Sequence, residues 1–209
     1  MDNFSSLKIE NHYFPCINWF KNSIRFSNIE LLSTERWQKM SFRNRCVVAG
    51  SIGLIHLSVP VVGGRNQKLL VKDVKIDYAT KWQLQHWRTI VSCYNKAPYF
   101  EYFEEIFHPF FEKRYEFLFD LNRDVIQTIA KILNKNQLIS VFSGHYETED
   151  IPTLPYCLPK NFQLLPNPVQ YTQVFEDRIG FQPNLSILDL LFSEGLNAKN
   201  LLLEIDKSL

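Results

Sequence analysis

His86 and Trp82 stand four residues apart in a stretch whose apolar residues recur with helical spacing, so they share one helix face. An imidazole held against an indole, with Gln83, Gln85 and Arg88 nearby, could act as a general base. A half-buried histidine bonded to backbone is the structural alternative. Arg43 and Arg45 flank Asn44. On a strand the two guanidinium groups would point to one side and Asn44 to the other. Together they could hold a phosphate or carboxylate in bidentate fashion, or simply form a solvated strand edge. His12, beside Tyr13, follows a strand-like stretch and precedes a helical one. Ligands of open α/β sheets gather at such turns, where helix N–H groups attract anions. Gly63-Gly64-Arg65 could present backbone N–H groups to an anion or merely turn the chain, and Lys68 adds a cation just after it.

The composition excludes several classes of function. With 23 basic and 22 acidic residues the net charge is +1, too balanced for a nucleic-acid binder. The five histidines (12, 56, 86, 108 and 145) are scattered, whereas a metal needs at least three converging ligands, so no metal is expected. No cofactor motif is present: neither a phosphate-binding Walker loop nor a G-x-G-x-x-G turn occurs. The cysteines, Cys16, Cys46, Cys93 and Cys157, have no paired spacing and are expected as free, mostly buried thiols. The N-terminus has no basic region followed by an apolar one. The longest apolar stretch, residues 47–62, is broken by Gly50, Gly53, His56 and Pro60 and falls short of the roughly 20 residues of a membrane helix. A cytoplasmic protein without a membrane span is the expectation.

The elements that must position these residues read as mixed α/β. Strands are expected near residues 7, 27, 47, 57, 74 and 140, with an antiparallel pair turning at Gly50-Ser51-Ile52-Gly53. Helical spacing runs through Ile17, Phe20 and Ile24, then through residues 81–96, 103–111 and 118–132. Pro109 should break the second of that later group. Asn122 interrupts an apolar face and suits a buried hydrogen bond. Residues 144–171 read as a long loop holding five of the ten prolines. Ser186-x-x-Asp189 fits a capping box and Gly195 a helix stop. The expectation is one domain over residues 1–209, α/β with a mixed sheet and a central group of helices. The alternative is α+β, with those helices packed together on one face.

Several short stretches carry a resemblance: Tyr13-Phe14-Pro15 with Trp19-Phe20, Ser41-Phe42-Arg43-Asn44-Arg45-Cys46, and Leu57-Ser58-Val59-Pro60-Val61. They continue with Trp82, His86-Trp87 and Ile90, then Ala97-Pro98-Tyr99-Phe100, and close with the run from Phe181 to Phe192. In this order they resemble the WbqC-like family of bacterial proteins, from near residue 7 to near residue 198. Arg43, Asn44, Arg45, Trp82, His86, Trp87, Asn184 and Asp189 match the family pattern, while Asn11-His12 stands where many members carry Gln-Pro. The resemblance implies a place in surface-polysaccharide (O-antigen) biosynthesis and a transferase adding glycine or another small group to a sugar. The expected substrate is then an anionic donor, a nucleotide sugar or an activated amino acid, and no cofactor is implied. Arg43, Asn44, Arg45, Lys68, Trp82, His12, Tyr13 and Asn184 would bind it, His86 would be the base, and the loop 144–171 would close over the site. A non-enzymatic adaptor presenting an exposed apolar patch is the alternative. The two differ in whether the segments of Arg43 and His86 meet.

Overall fold

The computed structural model describes residues 6–64, 68–134, 136–144 and 154–204. Its strands are β1 (Ser6–Ile9), β2 (Asn28–Leu32), β3 (Arg45–Gly50), β4 (Gly53–Ser58) and β5 (Leu138–Phe142). Its helices are α1 (Ile17–Ser23), α2 (Trp82–Tyr94), α3 (Phe100–Phe107) and α4 (Leu118–Leu133), followed by α5 (Glu176–Ile179), α6 (Ile187–Glu194) and α7 (Ala198–Leu203). The chain is mixed α/β, as its sequence predicts.

Leu7 and Ile9 alternate with Lys8, which puts two apolar side chains on one face of β1. They align with Ile29 and Leu31 of β2, and these in turn with Ile139 and Val141 of β5, in a parallel sheet of order β1-β2-β5. Parallel neighbours cannot be joined by a tight hairpin. Helix α1 therefore fills the crossover from β1 to β2, and half of the chain lies between β2 and β5.

The antiparallel pair is also present. β3 and β4 align from Arg45 against Ser58 to Gly50 against Gly53, and the turn uses Gly53 at φ 140°. Among the described residues it forms a two-stranded sheet of its own. The strand expected over residues 71–78 is instead a 3₁₀ turn, Val71–Asp73, followed by single bridges from Lys75 to Phe117 and from Ile76 to Val61. Val71 and Val74 are both buried, and their spacing of three brings them to the same side of such a turn.

Helix α4 buries Leu118, Leu121, Val125, Ile126, Ile129 and Leu133 along one face. Asn122 on that face donates a hydrogen bond to the Arg43 carbonyl. Helix α3 stops before Pro109, which sits in a 3₁₀ turn, His108–Phe111. Helix α6 is buried from Ile187 to Ser193 and ends at Gly195, φ 61°. Ser186 caps it by accepting the Leu188 N–H, but Asp189 does not complete a capping box. Its carboxylate instead accepts from the hydroxyls of Tyr94 and Tyr171, each at 2.7 Å. Residues 145–153 of the proline-rich loop, Pro152 among them, lie outside the described residues. The remainder is anchored by buried Cys157, Phe162 and Val169. All four cysteines are free and buried.

Candidate active site

Strands β1 and β2 run the same way, so the residues that follow them emerge on one edge of the sheet. Glu10 follows β1 directly, and Glu35 lies just beyond β2. Arg43 sits in the turn ahead of β3. Its Nη2 lies 3.0 Å from Glu10 Oε1 and 2.9 Å from Glu35 Oε2. The arginine is fully buried, while the Glu10 side chain keeps 29% of its surface exposed, so the cluster meets solvent at Glu10. The second Glu10 oxygen, Oε2, lies 2.8 Å from His12 Nε2. His12 is 1% exposed, and its Nδ1 has no hydrogen-bond partner among the described residues.

The two carboxyls titrate apart. Burial pushes Glu10 up, but the hydrogen bond and charge of His12 and the Arg43 guanidinium outweigh it, and the carboxyl is held at about 2. Burial also pushes Glu35 up. The Arg43 charge opposes that, the Glu10 charge adds to it, and Glu35 stays above the usual carboxylate range.

The loop carrying His12 is tightly held. The Trp19 indole donates to the Glu10 carbonyl at 3.0 Å, Asn11 Nδ2 to the Phe119 carbonyl at 3.0 Å, and the Tyr13 N–H to the Phe42 carbonyl at 3.0 Å. Phe14 takes φ 39°, a conformation a bulky side chain avoids. Its carbonyl accepts from Ser186 Oγ, and its ring stacks on Phe111 at 5.7 Å. Strain of this kind persists only where surroundings over-determine it, and such places cluster at functional sites.

His86 lies elsewhere on the same scaffold. Its Nδ1 is 3.1 Å from the Tyr13 hydroxyl, it makes a second bond to the Ser58 backbone, and Trp82 packs edge-on at 5.1 Å. Burial pushes it down to about 4, the Ser58 bond opposing. The segments of Arg43 and His86 therefore do meet, through the two ends of Tyr13, whose N–H reaches Phe42 and whose hydroxyl reaches His86. Their side chains go to different partners, Arg43 to the two glutamates and His86 to Tyr13 and Ser58.

The other expected residues divide. Arg43 and Asn44 occupy a turn and only Arg45 opens β3, so the strand alternation expected of the two arginines does not apply. Asn44 donates to the Val59 carbonyl at 2.9 Å. Lys68 is exposed, one residue before Leu69, whose carbonyl accepts the Trp37 N–H. Trp82 is buried in the core. Asn184 is a clamp: Oδ1 accepts the Asn18 N–H at 2.8 Å, while Nδ2 donates to the carbonyls of Tyr156 and Phe162. Arg65 and His145 lie outside the described residues. Among the described residues no three acidic, histidine or cysteine side chains converge as metal ligands, and no helix is long and apolar enough to cross a membrane. A separate cleft of about 580 Å³, lined by Lys96, Gln173, Phe175 and Arg178 among others, shares no residue with the cluster. Glu10 and Glu35 are additions that the sequence reading missed. The available signal was an acidic residue directly after one apolar strand and another shortly after the next.

The profile of the WbqC-like protein family matches residues 11–151, two thirds of the chain and the part that holds His12, Glu35, Arg43 and His86. The chain belongs to the WbqC-like protein family. Beyond that match, it is 26% identical over 224 residues to an uncharacterized protein of Mycobacterium tuberculosis, Rv1507c, covering 93% of this chain and 95% of that one. No solved structure matches it.

Proposed function

We propose that this WbqC-like chain is a group transferase of surface-polysaccharide assembly, moving glycine or another small acyl group from an anionic activated donor to a sugar hydroxyl or amine. One observation carries this reading: the His12–Glu10 pair at the carboxyl end of the parallel strands, where Nδ1 of His12 is buried without a hydrogen-bond partner among the described residues and Glu10 meets solvent. Glu10, ionised at any working pH, holds the proton on Nε2 and so leaves the lone pair on Nδ1. That nitrogen takes the proton of the acceptor as its oxygen or nitrogen bonds to the donor carbonyl. The donor's activated bond breaks with its electron pair leaving on the anionic group. Glu10 stabilises the imidazolium that forms, and that proton later passes to the leaving group.

The role first assigned to His86 passes to His12 in this reading, because the contacts of His86 within the chain occupy it as a positioning residue for Tyr13. Arg43, committed to two carboxylates, positions the dyad, and Arg45 and Lys68 are the cations assigned to the donor's phosphate or carboxylate. A cytoplasmic site would suit nucleotide sugars and activated amino acids.

The test is thermal stability against a panel of nucleotide sugars and aminoacyl phosphate analogues. A ligand at about 100 times its Kd adds roughly 2.7 kcal/mol, several degrees for a chain of this length. A shift that survives His12→Gln, coupled to turnover that does not, is the expected result. Full turnover in a folded His12→Gln variant would overturn the assignment.

A further inference from the structure

Cys16 and Cys157 are 141 residues apart in sequence, yet their sulfurs lie 3.5 Å from each other. Both are buried, at 5% and 3% exposure. They stand at a junction of three segments. Cys16 precedes α1 and forms a β-bridge with Ser186. Cys157 belongs to the stretch that side-chain amides hold in place: Asn18 Nδ2 donates to the Pro155 carbonyl at 2.8 Å and Asn184 Nδ2 to the Tyr156 carbonyl at 2.7 Å. Asn18 Nδ2 also points at Cys157 Sγ, 3.8 Å away. Of the four cysteines, Cys46 and Cys93 make no such contact with another sulfur among the described residues.

We infer that Cys16 and Cys157 form a reversible disulfide, a modification site for hydroperoxides that ties the segment after residue 154 to the start of α1. The sulfurs need to close by about 1.5 Å to reach the bond length of a disulfide. The order of events follows from the environments. Burial pushes Cys16 up, but the Cys157 thiol and the backbone N–H groups of Trp19 and Asn18 outweigh it and hold Cys16 below its ordinary value. The bond to Cys16 and burial push Cys157 up, so it remains the protonated partner. The Cys16 thiolate attacks the peroxide O–O bond, forms a sulfenic acid and releases hydroxide. Cys157 then attacks that sulfur, loses its proton and expels the hydroxyl as water. Overall two thiols lose two electrons and two protons, and one peroxide becomes two waters. Access comes from opening of the segment, which is tied at this point by side-chain amides rather than by strand pairing.

The experiment uses the full chain treated with hydrogen peroxide, then denatured, alkylated and mapped by mass spectrometry. The expected result is a peptide pair joined through Cys16 and Cys157, two mass units lighter than the thiols, reversed by dithiothreitol. Closing so long a loop should also raise Tm by roughly 5 °C or more. The Cys46→Ser/Cys93→Ser variant should behave the same way, while Cys16→Ser and Cys157→Ser should show neither change. The inference fails if both thiols remain alkylatable after peroxide treatment, if Cys16 proceeds to sulfinic acid, or if either sulfur pairs with Cys46 or Cys93. None of these readouts depends on transferase activity.

Discussion

Glu10 and Glu35 leave adjacent parallel strands and meet on one nitrogen of Arg43, at 3.0 and 2.9 Å. Neither carboxylate would tolerate the other without the guanidinium between them. Arg43→Met should therefore leave two partly buried negative charges facing each other and cost about 3–5 kcal/mol at pH 7, read from urea unfolding. Glu35→Gln should cost far less, under about 1 kcal/mol. The Glu35 charge is already disfavoured where it sits, as its raised pKa records. Equal losses in the two variants would mean that the cluster is held by packing rather than by charge.

Strands β1 to β5, the hairpin and helices α1 to α4 and α6 were legible because their apolar periods, two or near 3.6, survive in the sequence, while the short helices α5 and α7 and the parallel pairing were not. His12 was legible by topology, as a residue between a strand and a helix. Glu10 was not, because it reads as the polar step of an alternation that ends one residue earlier. Glu35 was hidden as the third of three polar residues, Ser33, Thr34 and Glu35, that follow β2. Arg43 was visible as a cation, but its commitment to two carboxylates depends on a contact across 33 residues that no local pattern encodes. Asp189 shows the reverse error, a real cap motif beside a carboxylate whose partners, Tyr94 and Tyr171, are set by tertiary packing.

Asp189 and His86 should pull stability in opposite directions over the same pH range. Burial raises Asp189 to about 6 against its two tyrosine bonds, so its contribution is fully present below its unfolded value of 3.8 and is lost as pH rises through 6. Burial lowers His86 to about 4, so its contribution is present above 6.5 and is lost as pH falls through 4. In the intact chain the two slopes largely cancel between pH 4 and 6. Asp189→Asn should expose the His86 slope, with stability falling on acidification by up to roughly 1.4 kcal/mol per pH unit. His86→Gln should expose the opposite slope, with stability rising on acidification. Urea midpoints measured from pH 4 to 7 decide it, and parallel profiles in the two variants would contradict this assignment.

Asn184 combines a backbone requirement with a side-chain one. It sits at φ 56°, and its amide makes hydrogen bonds to Asn18, Tyr156 and Phe162. Asn184→Gly keeps the backbone free of strain and loses only the bonds. Asn184→Ala loses the bonds and adds the strain. The glycine variant should be destabilised by roughly 2–3 kcal/mol and the alanine variant by about 1 kcal/mol more. Both should also loosen the stretch at 156–162, seen as faster hydrogen exchange there. A glycine variant as stable as the parent would mean that the clamp contributes nothing net.

If His12 is the base and Glu10 its orienting partner, the two should be separable by the size of the loss in turnover. His12→Gln can still donate from its amide to Glu10 but has no nitrogen lone pair to take a proton. Transferase turnover should drop by about 10²–10⁴ with Tm nearly unchanged. Glu10→Gln keeps the imidazole but removes the charge that stabilises the imidazolium. Turnover should then fall by less than in His12→Gln. His86→Gln should instead leave kcat nearly unchanged and act through Tyr13 on KM or stability. A kcat that falls with His86→Gln and not with His12→Gln would return the proton-transfer role to His86.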